Sequence, residues 1–152
     1  MLTGLLLFHS LLRYIILVLL LVTIFKSFSG WFGKKNYLPG DKKVSLFTFI
    51  SAHTQLILGL LLYFISPNVA SKADMGTAMK DPIARFWTIE HVFMMVLAII
   101  LITLGYMLTK RAKTDKGKHM RTAIFYLLAL LVIFLAIPWP WAKVARGWLP
   151  GM

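Results

Sequence analysis

The sequence predicts an all-α integral membrane protein, a bundle of four transmembrane helices in up-down-up-down order. Three observations carry that expectation. Of 152 residues, 59% are hydrophobic and only five are acidic, too little polar surface to clothe a soluble domain of this length. The mean hydropathy is +0.79. The apolar residues also gather into four runs, each long enough to cross about 30 Å of hydrocarbon at about 1.5 Å per residue. In lipid an open sheet edge would leave backbone polar groups bare, so the runs are expected to be helical.

The first run, about residues 2–26, reads LTGLLLFHSLLRYIILVLLLVTIF from Leu2 onward. A secretion signal starts basic, has a shorter apolar centre and ends in small residues. This run starts uncharged and contains His9 and Arg13, so it is expected to be a retained helix. The second, about 44–66, stops at Pro67, a residue that ends helices. The third, about 85–109, ends just before Lys110 and Arg111, and the fourth, about 120–141, takes in the IPWPW segment. Together they make residues 1–152 a single domain, with no room for a separate soluble one.

The net charge is +12. Lys26, Lys34, Lys35, Lys42 and Lys43 follow the first run, and Lys110, Arg111, Lys113, Lys116, Lys118 and Arg121 lie between the third and fourth. Those two connections fall on one side of the membrane. Lys72, Lys80, Arg85, Lys143 and Arg146 fall on the other. Membrane orientation therefore accounts for the charge, and no soluble platform exists to read nucleic acid. The positive-inside rule places both termini on the non-cytoplasmic side. Trp139, Trp141 and Trp148 suit an aromatic belt at that side, with Trp31 and Tyr37 near the other. The absence of cysteine excludes disulfides, thiolate metal sites and cysteine nucleophiles. A glycine-rich phosphate loop, a nucleophile elbow and paired glutamates are absent too.

Ionisable groups inside a span are costly and usually face a bundle interior or cavity, which makes them functional candidates. Here they are His9 and Arg13 in the first run, His53 in the second, and Glu90 and His91 in the third. His119 lies in the basic stretch KTDKGKHMR and reads as a solvated interfacial residue. His9 and His91 sit at similar depth on helices expected to be diagonal neighbours, whereas His53 is near mid-membrane. A diagonal histidine pair suits axial ligation of a non-covalent b-type haem. Trp87, His91, Met94, Met95, Ala98 and Gly105 form one stripe, with aromatic and thioether side chains for a flat ring and small ones for space. Arg13, one turn from His9, could meet a propionate or pair with Glu90. The alternative for the histidines is a plain hydrogen bond between helices, or a ligand pair that includes His53. On the second run, Thr48, Ser51, Gln55 and Gly59 form a weakly polar stripe on the side away from His53, and the sequence leaves open which side faces inward.

HSLLRY, HTQLILGLLLYFISP, MKD followed by RFWTIEHVFMM, and the closing IPWP resemble the small bacterial membrane proteins of the cytochrome B-like family, over nearly the whole chain. The resemblance implies a multi-pass protein of the bacterial inner membrane with histidine-bound haem b, and points to His9, His53 and His91 without choosing two. His53 and His119 are offset by most of a half-membrane, so one haem is expected rather than two.

The expected function is single-electron transfer between the quinone pool and a redox partner protein. The rivals are a porphyrin- or haem-handling membrane oxidoreductase, similar to the small four-helix protoporphyrinogen oxidases, and a non-redox structural subunit of a membrane complex or homo-oligomer. A copper-handling role has donors in the histidines and Met94 and Met95, but no dense ligand cluster.

Overall fold

A computed structural model describes residues 1–69 and 74–150, so Lys72 lies outside the described residues. The described chain is all-helical. Helix α1 runs Leu2–Phe32 and α2 Pro39–Ile65. After the short α3 (Met75–Ala78), α4 (Pro82–Arg85), a π-helical turn (Phe86–Glu90) and α5 (His91–Arg111) form one continuous span. Helix α6 is Asp115–Ala136. Four spans are thus long and apolar enough to cross a membrane.

The helices are longer at one end than the apolar runs suggest, and the reasons are local. Helix α1 continues past Lys26, whose ammonium pairs with Asp41 on α2 at 3.2 Å. Helix α2 starts at Pro39, where the fixed ring torsion favours a first turn and Asp41 Oδ2 accepts the Leu38 amide at 2.9 Å. Helix α6 starts at Asp115, with the Thr114 hydroxyl accepting the Gly117 amide at 3.0 Å. It stops at Ala136 because Pro138 and Pro140 cannot continue a hydrogen-bonded ladder. IPWPW is therefore an irregular strap rather than the end of a helix.

Helix α1 packs on α2 and α6, and α5 packs on the same two. That puts α1 and α5 on one diagonal, α2 and α6 on the other, in an up-down-up-down bundle. Residue size is sorted the way lipid demands. Ser10, Thr23, Ser27, Ser45, Thr48, Ala52, Ala98, Ala123 and Ala129 are buried between helices, while Phe25, Phe64, Phe93 and Leu135 point outward, each more than two-thirds exposed. Small interior residues let helix backbones approach closely where lipid supplies no hydrophobic drive for association. At Gly105 the approach is tightest between α5 and α6, where an added Cβ would stand 2.6 Å from Phe125 Cβ.

The bundle has two unlike ends. At the basic end, side-chain hydrogen bonds tie three helix pairs: Thr23 to Thr48 at 3.0 Å, Thr109 to Thr122 at 2.9 Å, and the Ser45 hydroxyl to Tyr126 Oη at 2.9 Å across the α2–α6 diagonal. His119 belongs to this end and corrects the expectation of a solvated residue: it is 1% exposed. Its ring lies flat on Gly30 of α1, and Tyr37 stands edge-on to it at 5.1 Å. Burial, with the charge of Asp41, pushes the Tyr37 hydroxyl up to about 12, so it stays protonated. At the other end Trp139 and Trp141 stack at 5.2 Å and Trp148 packs on both.

Candidate functional site: a histidine pair between two cavities

Near the tryptophan end, His9 and His91 face each other across the α1–α5 diagonal, with ring centres 6.4 Å apart and planes inclined by 65°. His91 is firmly oriented. Its Nδ1 lies 2.9 Å from Ala136 O, and a carbonyl can only accept, so Nδ1 carries the proton and Nε2 keeps its lone pair. Phe86 and Trp87 both pack on the His91 ring at 5.6 Å. The π-helical turn makes that possible: the His91 amide bonds to Phe86 O, five residues back, so residues four and five before His91 share its face.

The same widened turn redirects Glu90. In a regular α-helix, residues five apart diverge, but here Arg85 Nε reaches Glu90 Oε1 at 2.7 Å. Glu90 is spent on that half-exposed pair and lines neither cavity described below. An Arg13–Glu90 pair is therefore not formed. Arg13 instead donates through Nη2 to Trp148 O and to Tyr14 Oη, each at 2.9 Å, and the Tyr14 hydroxyl donates to Trp148 O at 2.8 Å. The tail is thereby strapped down over the end of the bundle.

Helix α2 resolves its two faces. Gln55 and Gly59 turn inward to α1: Gln55 Nε2 donates to His9 O at 2.8 Å, and a Cβ on Gly59 would meet His9 Cε1 at 3.3 Å. Thr48 also faces α1. His53 faces α5 instead, with Nδ1 2.8 Å from Phe49 O and Nε2 3.2 Å from Thr103 Oγ1. Both of its ring nitrogens are engaged, and it stands apart from the His9–His91 pair.

Two crevices flank the histidine pair. One, of about 100 Å³, lies toward α2 and is lined by Gln55, Gly59, Leu60, Tyr63 and Met95 besides the two histidines. The other, of about 70 Å³, lies toward α6 and includes Arg13, Ala98, Ile133 and Pro138. Trp87 and Arg146 border both. Met95, rather than Met94, is the methionine at the site. Helices α2 and α5 are the least closely packed neighbours, so the first crevice opens toward lipid between them. The walls are apolar, yet His9 Nδ1, Gln55 Oε1 and Arg13 Nε are buried there without a hydrogen-bond partner. Orphaned buried polar atoms carry a desolvation cost of about 1–3 kcal/mol each, which an occupant can offset.

Gln55 and Gly59, from the stripe whose direction the sequence left open, complete the site together with Arg146, which the sequence did not single out for it. Arg146 lies ten residues beyond the end of α6 at Ala136, and only the fold-back of the strap brings its guanidinium over the Trp87 ring, 5.4 Å from the centre. Among the described residues, no group of three or more His, Cys, Asp or Glu side chains is placed to hold a bare metal ion. Two imidazoles beside an apolar crevice are a donor set that would suit a macrocycle-bound metal rather than a protein-caged one. Comparison with family models, curated proteins and solved structures returns no match.

Proposed function

We propose that the chain binds one haem b between His9 and His91 and passes single electrons between a lipid-soluble quinol and a partner protein at the membrane. The 6.4 Å separation of the two rings carries this reading. Two imidazoles that bind one metal from opposite sides through bonds of about 2 Å hold their ring centres about 6 Å apart. The crevices on either side of the histidine axis support it further, since a planar ring between the imidazoles extends toward both α2 and α6. Neither crevice alone reaches the 300–1,000 Å³ or so of an ordinary small-molecule site. A macrocycle there would require α2 to part from α5, the neighbouring pair in sparsest contact.

Held by His9 and His91, haem would supply a one-electron couple. The protein's own share is orientation and packing. Ala136 O fixes the His91 tautomer and points Nε2 inward. Phe86 and Trp87 hold the His91 ring, and Trp87 and Met95 line the crevice where they would pack against a flat ring. The lipid-facing side between α2 and α5 is where a quinol approaches. The basic end lies in the cytoplasm of a bacterium and both termini outside, by the charge distribution.

The test is a dithionite-reduced minus oxidised visible spectrum of purified protein expressed with haem available. Sharp b-type bands are expected, and the His53→Gln variant is expected to keep them unchanged, because His53 is bonded to Phe49 O and Thr103. Folded protein without a Soret band overturns the reading. Bands lost in His53→Gln move the ligand pair to α2.

A further inference from the structure

Arg13 and Arg146 line the same crevice, one from α1 and one from the strap. Neither forms an ion pair: among the described residues the salt bridges are Lys26–Asp41 and Arg85–Glu90. Arg146 makes no side-chain hydrogen bond among the described residues and rests on Trp87. Arg13 spends Nη2 on Trp148 O and Tyr14, while its Nε is buried with no acceptor at all. Burial and the nearby charge of Arg13 both pull the Arg146 pKa below its ordinary value. Two like charges held together in a half-buried apolar site cost free energy until an anion joins them.

Resting on the haem reading, we propose that Arg13 and Arg146 form a two-guanidinium receptor for the carboxylates of an acidic macrocycle, fixing its acidic edge under the C-terminal strap. Guanidinium is suited to this, because its planar array of donors matches a carboxylate two bonds at a time. Arg146 is the freer partner, and the orphaned Arg13 Nε is the buried donor that waits for an acceptor. Most of the remaining lining is apolar, so the site discriminates an amphiphile with one acidic edge from a fully apolar one.

The experiment separates this inference from iron ligation by using iron-free protoporphyrin IX and its dimethyl ester as probes. Binding to the full chain in zwitterionic nanodiscs is read by porphyrin fluorescence. The free acid is expected to bind at least about tenfold more tightly than the ester, the loss associated with one charged hydrogen bond. Arg146→Gln is expected to erase most of that difference by weakening the acid alone, and Arg146→Lys to restore part of it. Arg13→Gln also loosens Trp148, so Arg146 carries the decisive comparison. Replacing part of the lipid by phosphatidylglycerol distinguishes the source of the oxyanion: weaker porphyrin binding that Arg146→Gln abolishes shows a lipid phosphate competing for the same guanidiniums and supports the receptor. Equal affinity for acid and ester, or an acid preference unchanged in Arg146→Gln, overturns it. Haem ligation fails separately, through a missing Soret band with the porphyrin preference intact.

Discussion

Replacing His91 with alanine is expected to remove the b-type bands altogether, with a loss of haem affinity well beyond the 10–100-fold or so that removing an outer hydrogen-bond partner of a ligand costs. His91 is the better oriented of the two imidazoles: Ala136 O sets its tautomer, and Phe86 and Trp87 hold its ring. His9→Ala is expected to be milder. Its Nδ1 has no acceptor in the structure, so less of the binding free energy is preorganised in that ring. Haem per protein, read as pyridine haemochrome after purification, ranks the variants, and retained cooperative unfolding shows that the bundle survived. Full haem content in both variants would place the ligands elsewhere.

The largest structural effect is expected at the opposite end, from Gly30→Ala. The added methyl would overlap the His119 ring, which is 1% exposed and lies directly against Gly30. Helix propensity alone favours alanine by about 1 kcal/mol. Overpacking a filled interior costs about 1–3 kcal/mol and sometimes more. Here the overlap involves a rigid ring pinned by Tyr37 and by the 3.3 Å contact of Nε2 with Asn36 O, so the cost is expected to win. Thermal unfolding in detergent should show a lower midpoint for Gly30→Ala, and Gly30→Ala with His119→Ala should recover much of the loss. A midpoint at or above that of the unsubstituted chain would mean that the ring moves aside freely.

Much of this architecture is legible in the sequence because lipid imposes simple rules. Length and hydropathy find the spans, and short connections between them put α1 and α5 on a diagonal. What escapes the sequence has identifiable causes. Glu90 reads as an intramembrane acid near Arg13, but one extra residue in the turn at Phe86–Glu90 swings it to Arg85. His119 sits in a charged stretch, yet α6 begins four residues earlier, and that first turn presents it to Gly30 rather than to water. The two sides of α2 were equally plausible inner faces from composition, and the decision depends on Gln55 reaching His9 O, a partner 46 positions away. Arg146 escapes because the path of a proline-rich strap is set by Arg13 and Tyr14 capturing Trp148 O.

The unlike ends of the bundle have a mechanical consequence. A side-chain hydrogen bond tolerates little change in distance or direction, so the Thr23–Thr48, Thr109–Thr122 and Ser45–Tyr126 contacts act together as a fulcrum. At the tryptophan end the faces of α2 are mostly apolar, and the Gln55 to His9 O bond is the directional contact to α1 that a tilt of α2 has to give up. A small tilt of α2 about that fulcrum is multiplied along the length of a 27-residue rod, like the jaws of forceps held at the joint. A tilt of that kind would widen the molecule at one membrane face while the other face keeps its shape.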